Sequence, residues 1–191
     1  MRSPADIDYR ILPAEIGADR FAVSLGAGWD WPVAGCSSLA EYVELSIVAP
    51  RRRFFWLLGD DQPLGFFGYT HNDELRRFEF GTYLAPEARG TGANRVLKHS
   101  SIAAFQAMGL PLTALVRDQN LRSLAAMRRI AGGPGEFQTV APNTLRWVFD
   151  LNAATVDPDS VSLQVHSQLL ERAGELNAIA TRAARPVPLR V

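Results

Sequence analysis

A glycine turn between a strand pattern and a helix pattern is the feature that most constrains this chain. Residues 78–84, FEFGTYL, are rich in aromatic side chains and end just before Pro86, which predicts a strand. The run Arg89-Gly90-Thr91-Gly92 then opens a helix pattern that closes at Gly109, with Pro111 just beyond. Unpaired N–H groups and the helix dipole attract anions at a helix N-terminus, so this turn predicts a phosphate site.

A second strand and a second helix follow directly. Residues 112–116 form a short apolar run, and residues 119–132 repeat apolar side chains at helical spacing. A strand, a helix and a strand of these lengths predict a parallel pair with a right-handed crossover. The sequence therefore predicts a central βαβ unit that carries an anion site.

Two common phosphate motifs fit this turn poorly. The chain lacks the Gly, four residues, Gly, Lys and Ser or Thr of a P-loop. A dinucleotide fingerprint needs a third glycine where Arg95 stands, although Asp118 ends the next strand where a ribose-binding acid would lie. The dinucleotide interpretation stays open as a minor alternative.

The same turn resembles the acetyl-coenzyme A site of the GNAT acetyltransferases. Their motif is Arg or Gln, two residues, Gly, one residue, then Gly or Ala; Arg89 and Gly92 match it, and Asn94 departs from its last position. The branch that resembles the RimJ/RimL ribosomal-protein N-terminal acetyltransferases has RGTG followed by Asn and Lys, as at Asn94 and Lys98. That branch also has patterns similar to Glu79-Phe80-Gly81, and to Asn120 with Arg122-Ser123.

The resemblance implies a fold for the rest of the chain. Residues 54–58 and 64–70 predict a hairpin around a turn at 59–63, with a second turn at 71–74. Patterns at 9–12, 39–48 and 137–151 predict a first strand, a helix and a last hairpin. We expect an α/β (α+β) GNAT fold: a mixed, mostly antiparallel sheet of about six or seven strands around the βαβ unit.

The C-terminal segment has a different composition. We expect residues 1–151 to be the acetyltransferase domain and 152–191 a helical extension that starts near Asp157-Pro158-Asp159-Ser160. An apolar stripe predicts docking either on its own domain or on a second subunit, and we favour a homodimer. The stripe consists of Leu169, Ala173, Leu176, Ala180 and Ala183.

Acetyl-coenzyme A as acetyl donor is implied by the resemblance. Backbone N–H groups around Thr82 and Leu84 would hold pantetheine between parted strands, and the turn from Arg89 to Asn94 would hold the pyrophosphate. The residues expected to bind the donor are Thr82, Tyr83, Leu84, Arg89, Gly90, Thr91, Gly92, Ala93, Asn94, Lys98, Asn120 and Ser123. Asn120 is also a good helix N-cap.

Catalysis requires a base for the attacking amine. Glu79 shares a strand face with Gly81 and Tyr83 and is our candidate general base; the alternative is a surface carboxylate paired with Arg76 or Arg77. Ser123 either protonates the departing thiolate or packs beside coenzyme A. At pH 7 deprotonating an α-amino group costs about 1.4 kcal/mol and a lysine about 4.6 kcal/mol. We therefore favour a peptide N-terminus or a small low-pKa amine as acceptor, with a non-catalytic acyl-coenzyme A-binding protein as the alternative.

The acceptor pocket and the compartment follow from weaker signals. The residues expected to line the pocket are Trp29, Asp30, Trp31, Trp56 and Tyr69. A net charge of zero gives no reason to expect nucleic acid or a membrane as partner, and the triplet Arg51-Arg52-Arg53 is typical of a solvated strand entrance. A single cysteine, Cys36, is typical of a reducing cytoplasm. Three scattered histidines give no metal spacing, so we expect no metal site.

Overall fold

The structure is a computed structural model that describes residues 7–26, 36–141 and 144–183. Its elements follow one another as β1 (Tyr9–Pro13), α1 (Ala18–Gly26), α2 (Leu39–Ile47), β2 (Arg52–Gly59), β3 (Gln62–Asn72), β4 (Arg77–Leu84), α3 (Ala93–Met108), β5 (Leu112–Arg117), α4 (Leu121–Ala131), β6 (Glu136–Ala141), β7 (Thr144–Asp150), α5 (Leu163–Glu171) and α6 (Ala173–Ala183). Single 3-10 turns lie at Pro86–Ala88 and Pro158–Ser160.

One seven-stranded sheet organises the chain in the order β1-β2-β3-β4-β5-β7-β6. Only β4 and β5 pair in parallel; every other neighbouring pair is antiparallel. The α3 crossover joins the parallel pair and ends at Gly109, whose φ of 65° is the left-handed conformation of a glycine C-cap. The predicted fold class and the central βαβ unit are confirmed.

The β2–β3 turn is tighter than predicted. Asp60 and Asp61, with φ of 48° and 65°, make a two-residue turn, and the strand already includes Gln62 and Pro63. Two consecutive positive φ angles match the twist of a hairpin, and Asp tolerates them better than most residues. The prediction of a five-residue turn at 59–63 was therefore wrong. β3 also continues through His71 and Asn72, where we expected the second turn.

The two faces of the sheet carry separate helices. Phe55, Phe67 and Phe80 point to the face covered by α3, α4 and the C-terminal helices. Trp56 and Phe66 point to the opposite face, where α1 and α2 pack over them. Because side chains alternate along a strand, adjacent residues of β2 and β3 are buried in different cores. This explains why these strands read as continuous apolar runs rather than alternating ones.

The C-terminal helices dock on this chain's own domain. Val165, Leu169, Leu176 and Ile179 are buried in the same core as α3. Gln168 Oε1 accepts a hydrogen bond from the backbone N–H of Ile11, which ties α5 to β1. The apolar stripe therefore already packs against the core of its own domain. The homodimer expected through this segment remains a prediction without support from the structure.

The start of the C-terminal extension also differs from the expectation. Asp157 caps only the single turn at Pro158–Ser160, with its side chain accepting from the N–H of Asp159. The helix α5 begins at Leu163, where Ser162 Oγ accepts from the N–H of Val165. A second cap, five residues downstream, thus marks the helix boundary.

Candidate active site

The parallel strands β4 and β5 separate after three residue pairs. Phe78, Glu79 and Phe80 pair with Leu112, Thr113 and Ala114, and no pairing continues beyond them. β5 instead remains paired with β7 up to Arg117. A gap therefore opens between the carboxyl ends of β4 and β5, and it belongs to a cleft with a volume of about 1130 Å³.

Backbone groups of β4 point into this gap. The N–H of Phe78 donates to the carbonyl of Pro111, on the β5 side. Because alternate residues of a strand direct their N–H groups to opposite sides, Thr82 and Leu84 also direct theirs toward β5. There the ladder has ended, so these groups face the cleft. An extended ligand with amide groups can pair with them as an added strand would.

A two-glycine bend lies at the same end of the gap. Gly90 and Gly92 have φ of 83° and 94°, a left-handed conformation that glycine adopts without steric cost. In the described part of the chain, the N–H groups of Gly90, Gly92 and Asn94 have no intramolecular acceptor. Thr91 Oγ1 donates to the carbonyl of Ala88 over 2.8 Å and fixes the bend. The bend thus presents N–H groups and a helix N-terminus to the solvent, which suits an anion.

Two arginines flank the bend. The Nε of Arg89 donates to the carbonyl of Leu84 over 3.0 Å, and its guanidinium lies 5.7 Å from the centre of the Tyr83 ring. A methyl group on Gly90 would lie 3.8 Å from Nη2 of Arg122, so this second guanidinium stands beside the bend. In the sequence, Arg122 is only one residue of a motif; its proximity to Gly90 depends on the packing of α4.

Lys98 lines the cleft from the second turn of α3. Its side chain is 4 % exposed, and burial lowers its pKa to about 8. Desolvation is the sole cause of that shift, so no neighbouring carboxylate offsets the cost of the buried charge. The ammonium is available to a polar ligand that enters the gap.

Glu79 stands at the start of the gap, on the sheet face opposite to the one that α3 covers. It lies in a row of directly paired residues that runs Arg52, Thr70, Glu79, Thr113 across four strands. Oε1 of Glu79 accepts a hydrogen bond from Nδ2 of Asn72 over 2.9 Å. The expected surface alternative paired Glu79 with Arg76 or Arg77, whereas the structure gives it an amide partner beside the cleft.

Gly81 keeps the floor of the cleft open. A Cβ atom placed on Gly81 would meet no atom within 4 Å, and the residue lies between Glu79 and Tyr83 on the same face. We call the sheet surface formed by Arg52, Phe54, Gly68, Thr70, Glu79 and Gly81 the cleft face. Tyr42 of α2 also lines the cleft there, and burial raises the pKa of its phenol, which is therefore neutral at pH 7.

The N-terminus of α4 forms another wall of the cleft. Asn120 Oδ1 accepts from the N–H of Ser123 over 3.1 Å, so Asn120 is the N-cap, as its residue type predicted. Ser123 lies in the first turn and also lines the cleft. The structure thus brings Glu79, Thr82, the two-glycine bend, Lys98 and Ser123 around one cavity.

Two residues predicted for the acceptor pocket lie elsewhere. Tyr69 points to the α3 face, where its ring centroid is 4.5 Å from that of Phe105 and its hydroxyl donates to Ser101. Trp56 is on the α1 side, but Phe21 packs against it and its Nε1 donates to the carbonyl of Ala14. Both side chains are fully buried. The other predicted pocket residues, Trp29, Asp30 and Trp31, lie outside the described residues.

Comparison with known proteins identifies the chain. The sequence model of the acetyltransferase (GNAT) family matches residues 25–132, more than half of the 191 residues. The chain belongs to the GNAT acetyltransferase family. Members of this family take their acetyl group from acetyl-coenzyme A. A comparison with curated proteins gives no significant match.

Solved structures of GNAT enzymes share the fold. A chimera of the spermidine N-acetyltransferase SpeG from Vibrio cholerae and hSSAT is 18% identical, with a TM-score of 0.56 over 75% of this chain and 95% of that one. SpeG from Vibrio cholerae in complex with manganese ions is 20% identical, with a TM-score of 0.52 over 75% and 92%. The N-acetyltransferase PseH from Campylobacter jejuni is 16% identical, with a TM-score of 0.50 over 74% and 96%.

The residues of this GNAT chain fit a coenzyme A donor. Pantetheine contains amide groups that match outward-facing strand N–H groups, and the pyrophosphate matches a helix N-terminus with neighbouring arginines. Both features lie at the carboxyl ends of β4 and β5, where ligands bind in open α/β sheets. In the described ranges, none of the helices is long and apolar enough to cross a bilayer.

Proposed function

We propose that this GNAT chain acetylates a primary amine on a peptide N-terminus or a small molecule, by direct attack on acetyl-coenzyme A in a ternary complex. The observation that carries the proposal is the β4–β5 gap, which ends at the two-glycine bend and has Glu79 at its start. Glu79 and the bend are thus at opposite ends of one cleft, as a thioester and its distant pyrophosphate require.

The donor lies along β4 in this proposal. The N–H groups of Thr82 and Leu84 hold pantetheine, and those of Gly90, Gly92 and Asn94 hold the pyrophosphate with Arg122. Lys98 lies beside the gap and contacts a polar oxygen of the donor. Arg89 holds the strand end through the Leu84 carbonyl and adds positive charge near the pyrophosphate. Charge-assisted hydrogen bonds of this kind are the strong ones in anion recognition.

The reaction forms an amide bond and breaks the carbon–sulfur bond of the thioester. The neutral amine attacks the carbonyl carbon, and the resulting oxyanion is stabilised by N–H groups of β4. Glu79 takes the proton that the amine loses, directly or through one water. Ser123 gives a proton to the departing thiolate and recovers one from solvent. Glu79 then releases its proton to solvent, so both groups regain their starting state and the proton balance is closed.

The hydrogen bond from Asn72 supports Glu79 as the base. A neutral amide orients the carboxylate without neutralising its charge, whereas an arginine partner would weaken its basicity. With one carboxylate as the candidate base, an amine of low pKa is an easier acceptor than a lysine side chain, because it costs less to deprotonate. This favours the N-terminal amine or small-molecule amine that the resemblance to the RimJ/RimL branch also suggests.

Two measurements test the proposed function. Thermal unfolding with and without acetyl-coenzyme A tests donor binding, and binding should raise the midpoint. Thiol release with peptide N-termini, polyamines and amino sugars then tests turnover. Stabilisation together with amine-dependent thiol release is the expected result. Stabilisation without release from any amine would leave a binding protein, and no stabilisation would reject the donor site.

A further inference from the structure

We propose that the acceptor carries an acidic group, a carboxylate or a phosphate, near the amine that is acetylated, and that Arg52 binds this group. The inference rests on the proposed function and narrows its substrate class. It comes from the distribution of charge around Glu79 in the described part of the cleft.

The basic triplet at the start of β2 is divided by the fold. Arg51 forms an ion pair with Asp73 at 2.5 Å, and Arg53 forms one with Glu175 of α6 at 3.4 Å. Arg52, between them, forms no ion pair with any described residue. Because side chains alternate along β2, Arg52 instead stands on the cleft face and lines the cavity.

Arg52 and Glu79 are held at a fixed spacing. Arg52 is directly opposite Thr70 of β3, and Thr70 is directly opposite Glu79 of β4. Two strand spacings put their Cα atoms about 10 Å apart. The two side chains do not pair with each other within the ion-pair limit of 4.0 Å. A ligand with an amine and an acidic group can therefore contact Glu79 and Arg52 together.

Arg146 approaches the same face from the other side of the gap. It is directly opposite Arg117 across the β5–β7 pair, and both residues line the cleft. The Nε of Arg146 is buried without a hydrogen-bond partner among the described residues. A buried N–H group of a cation without an acceptor costs free energy, and an anionic ligand group would satisfy it.

The described lining of the cleft has a strong charge imbalance. Glu79 is its one carboxylate, against six cations. These are Arg52, Arg89, Lys98, Arg117, Arg122 and Arg146. Arg89, Lys98 and Arg122 lie near the proposed donor site, and Arg117 and Arg146 lie four residues beyond the row of Glu79, at the same end of the gap. Arg52 is the cation in the row of Glu79. Like charges repel in such a cleft, so it disfavours a polycation such as spermidine and favours an acceptor with an acid.

Matched acceptors of similar amine chemistry test the proposal. We would compare kcat/KM for glucosamine 6-phosphate with glucosamine, for phosphoethanolamine with ethanolamine, and for an N-terminal Ser-Asp peptide with Ser-Asn, with spermidine as the polycation. The acidic member of at least one pair should exceed its neutral partner about tenfold, as one charge-assisted contact implies. Neutral partners that equal the acidic members, or spermidine as the best acceptor, would overturn it.

Variants and a binding measurement distinguish a failure of the proposed acetyl transfer from a failure of the proposed acidic acceptor. Arg52→Gln should reduce the acidic-to-neutral ratio toward one, while Arg53→Gln, whose side chain pairs with Glu175, should retain it. If thiol release fails with every amine, the proposed function fails. Calorimetric titration of the acceptors into protein saturated with coenzyme A then still decides the acceptor class. Equal affinities for the acidic and neutral acceptor of every pair would contradict the proposed acidic acceptor. An Arg52→Gln variant with an unchanged acidic-to-neutral ratio would also contradict it.

Discussion

Nδ2 of Asn72 donates a hydrogen bond to Oε1 of Glu79 over 2.9 Å, from the strand that neighbours β4. The contact holds a carboxylate at the point where β4 and β5 part. It leaves the negative charge intact, because an amide brings no positive charge. Glu79 is therefore held in place beside the proposed site of attack.

Replacing Glu79 by Gln should lower kcat about 100-fold near pH 7, because general-base catalysis typically contributes at least that factor. Acetyl-coenzyme A affinity should stay the same, since Glu79 is at the acceptor end. Steady-state thiol release and calorimetric titration of the donor measure the two effects. Asn72→Ala leaves the Glu79 carboxylate but removes the amide that donates a hydrogen bond to it, so it should reduce kcat by a smaller factor. An unchanged rate in the Gln variant would remove Glu79 from the mechanism.

Gly81→Val should separate activity from stability. A Cβ on Gly81 would meet no atom of the described residues within 4 Å, and Val suits a strand better than Gly. The unfolding midpoint should therefore stay the same or rise. The same side chain would fill the floor of the cleft and block turnover. Thermal unfolding and thiol release check both results.

Gly68→Ala is the matched control on the neighbouring strand. A Cβ there would lie 2.7 Å from Phe54 and 2.8 Å from the carbonyl oxygen of Arg53, so this smaller change should destabilise the fold. If Gly81→Val retained full activity, the space above Gly81 would not be used by either substrate.

Lys98→Met should stabilise the protein at pH 7 and weaken donor binding. Burial lowers the pKa of Lys98 to about 8, which corresponds to a cost of up to about 3 kcal/mol while the group is charged. The unfolded chain binds the proton more tightly, so wild-type stability rises with pH between about 8 and 10.5. The difference in free energy of unfolding between Lys98→Met and the wild type should therefore shrink to roughly half by pH 9.5.

Chemical denaturation of both proteins at pH 7 and pH 9.5 measures that difference. Acetyl-coenzyme A titrations at pH 7 should show about tenfold weaker binding by Lys98→Met. A variant that is less stable at pH 7, or that binds the donor equally well, would contradict the role given to the buried ammonium.

Acidification should loosen the C-terminal helices. The Nδ1 of His99 accepts the N–H of Asp157 over 3.1 Å, which requires a neutral imidazole. Desolvation lowers the pKa of His99 below 6.5 despite the nearby Asp157; Arg95 and Lys98 act in the same direction as burial. The unfolded chain is therefore protonated first, and stability should fall as pH drops through 6.5 toward the lower folded pKa.

Hydrogen exchange of the α5 amides at pH 7.5 and 5.5, corrected for intrinsic rates, tests this effect. Protection should decrease at pH 5.5 in the wild type. His99→Gln keeps an acceptor that does not titrate in this range, so its protection should change much less. Equal pH responses of the two proteins would show that His99 does not control the docking.

The two-glycine bend and the elements around it could be predicted because their signals are local. The glycine bend, the helix cap at Gly109 and the strand that follows lie within one continuous segment, and each has its own residue preference. The register that ends the β4–β5 ladder at Phe80 and Ala114 is consistent with the expected parting of the strands.

The acceptor half could not be predicted, because it depends on contacts between distant strands. Arg52 faces Glu79 only through the pairing of β2, β3 and β4, and a shift by one residue would point it to the other face. Tyr69 was misplaced for the same reason, since its parity puts it on the α3 face. The residues of β2 are apolar on both faces, so their pattern carries no signal for which side chain reaches the cleft.

A crystal structure of the protein with acetyl-coenzyme A is the most direct test of where the donor binds. We predict pantetheine between β4 and β5, the pyrophosphate on the N–H groups of Gly90, Gly92 and Asn94, and the thioester carbonyl near Glu79. Density for the donor at any other place, or crystals at saturating donor that leave the gap filled by solvent, would contradict it.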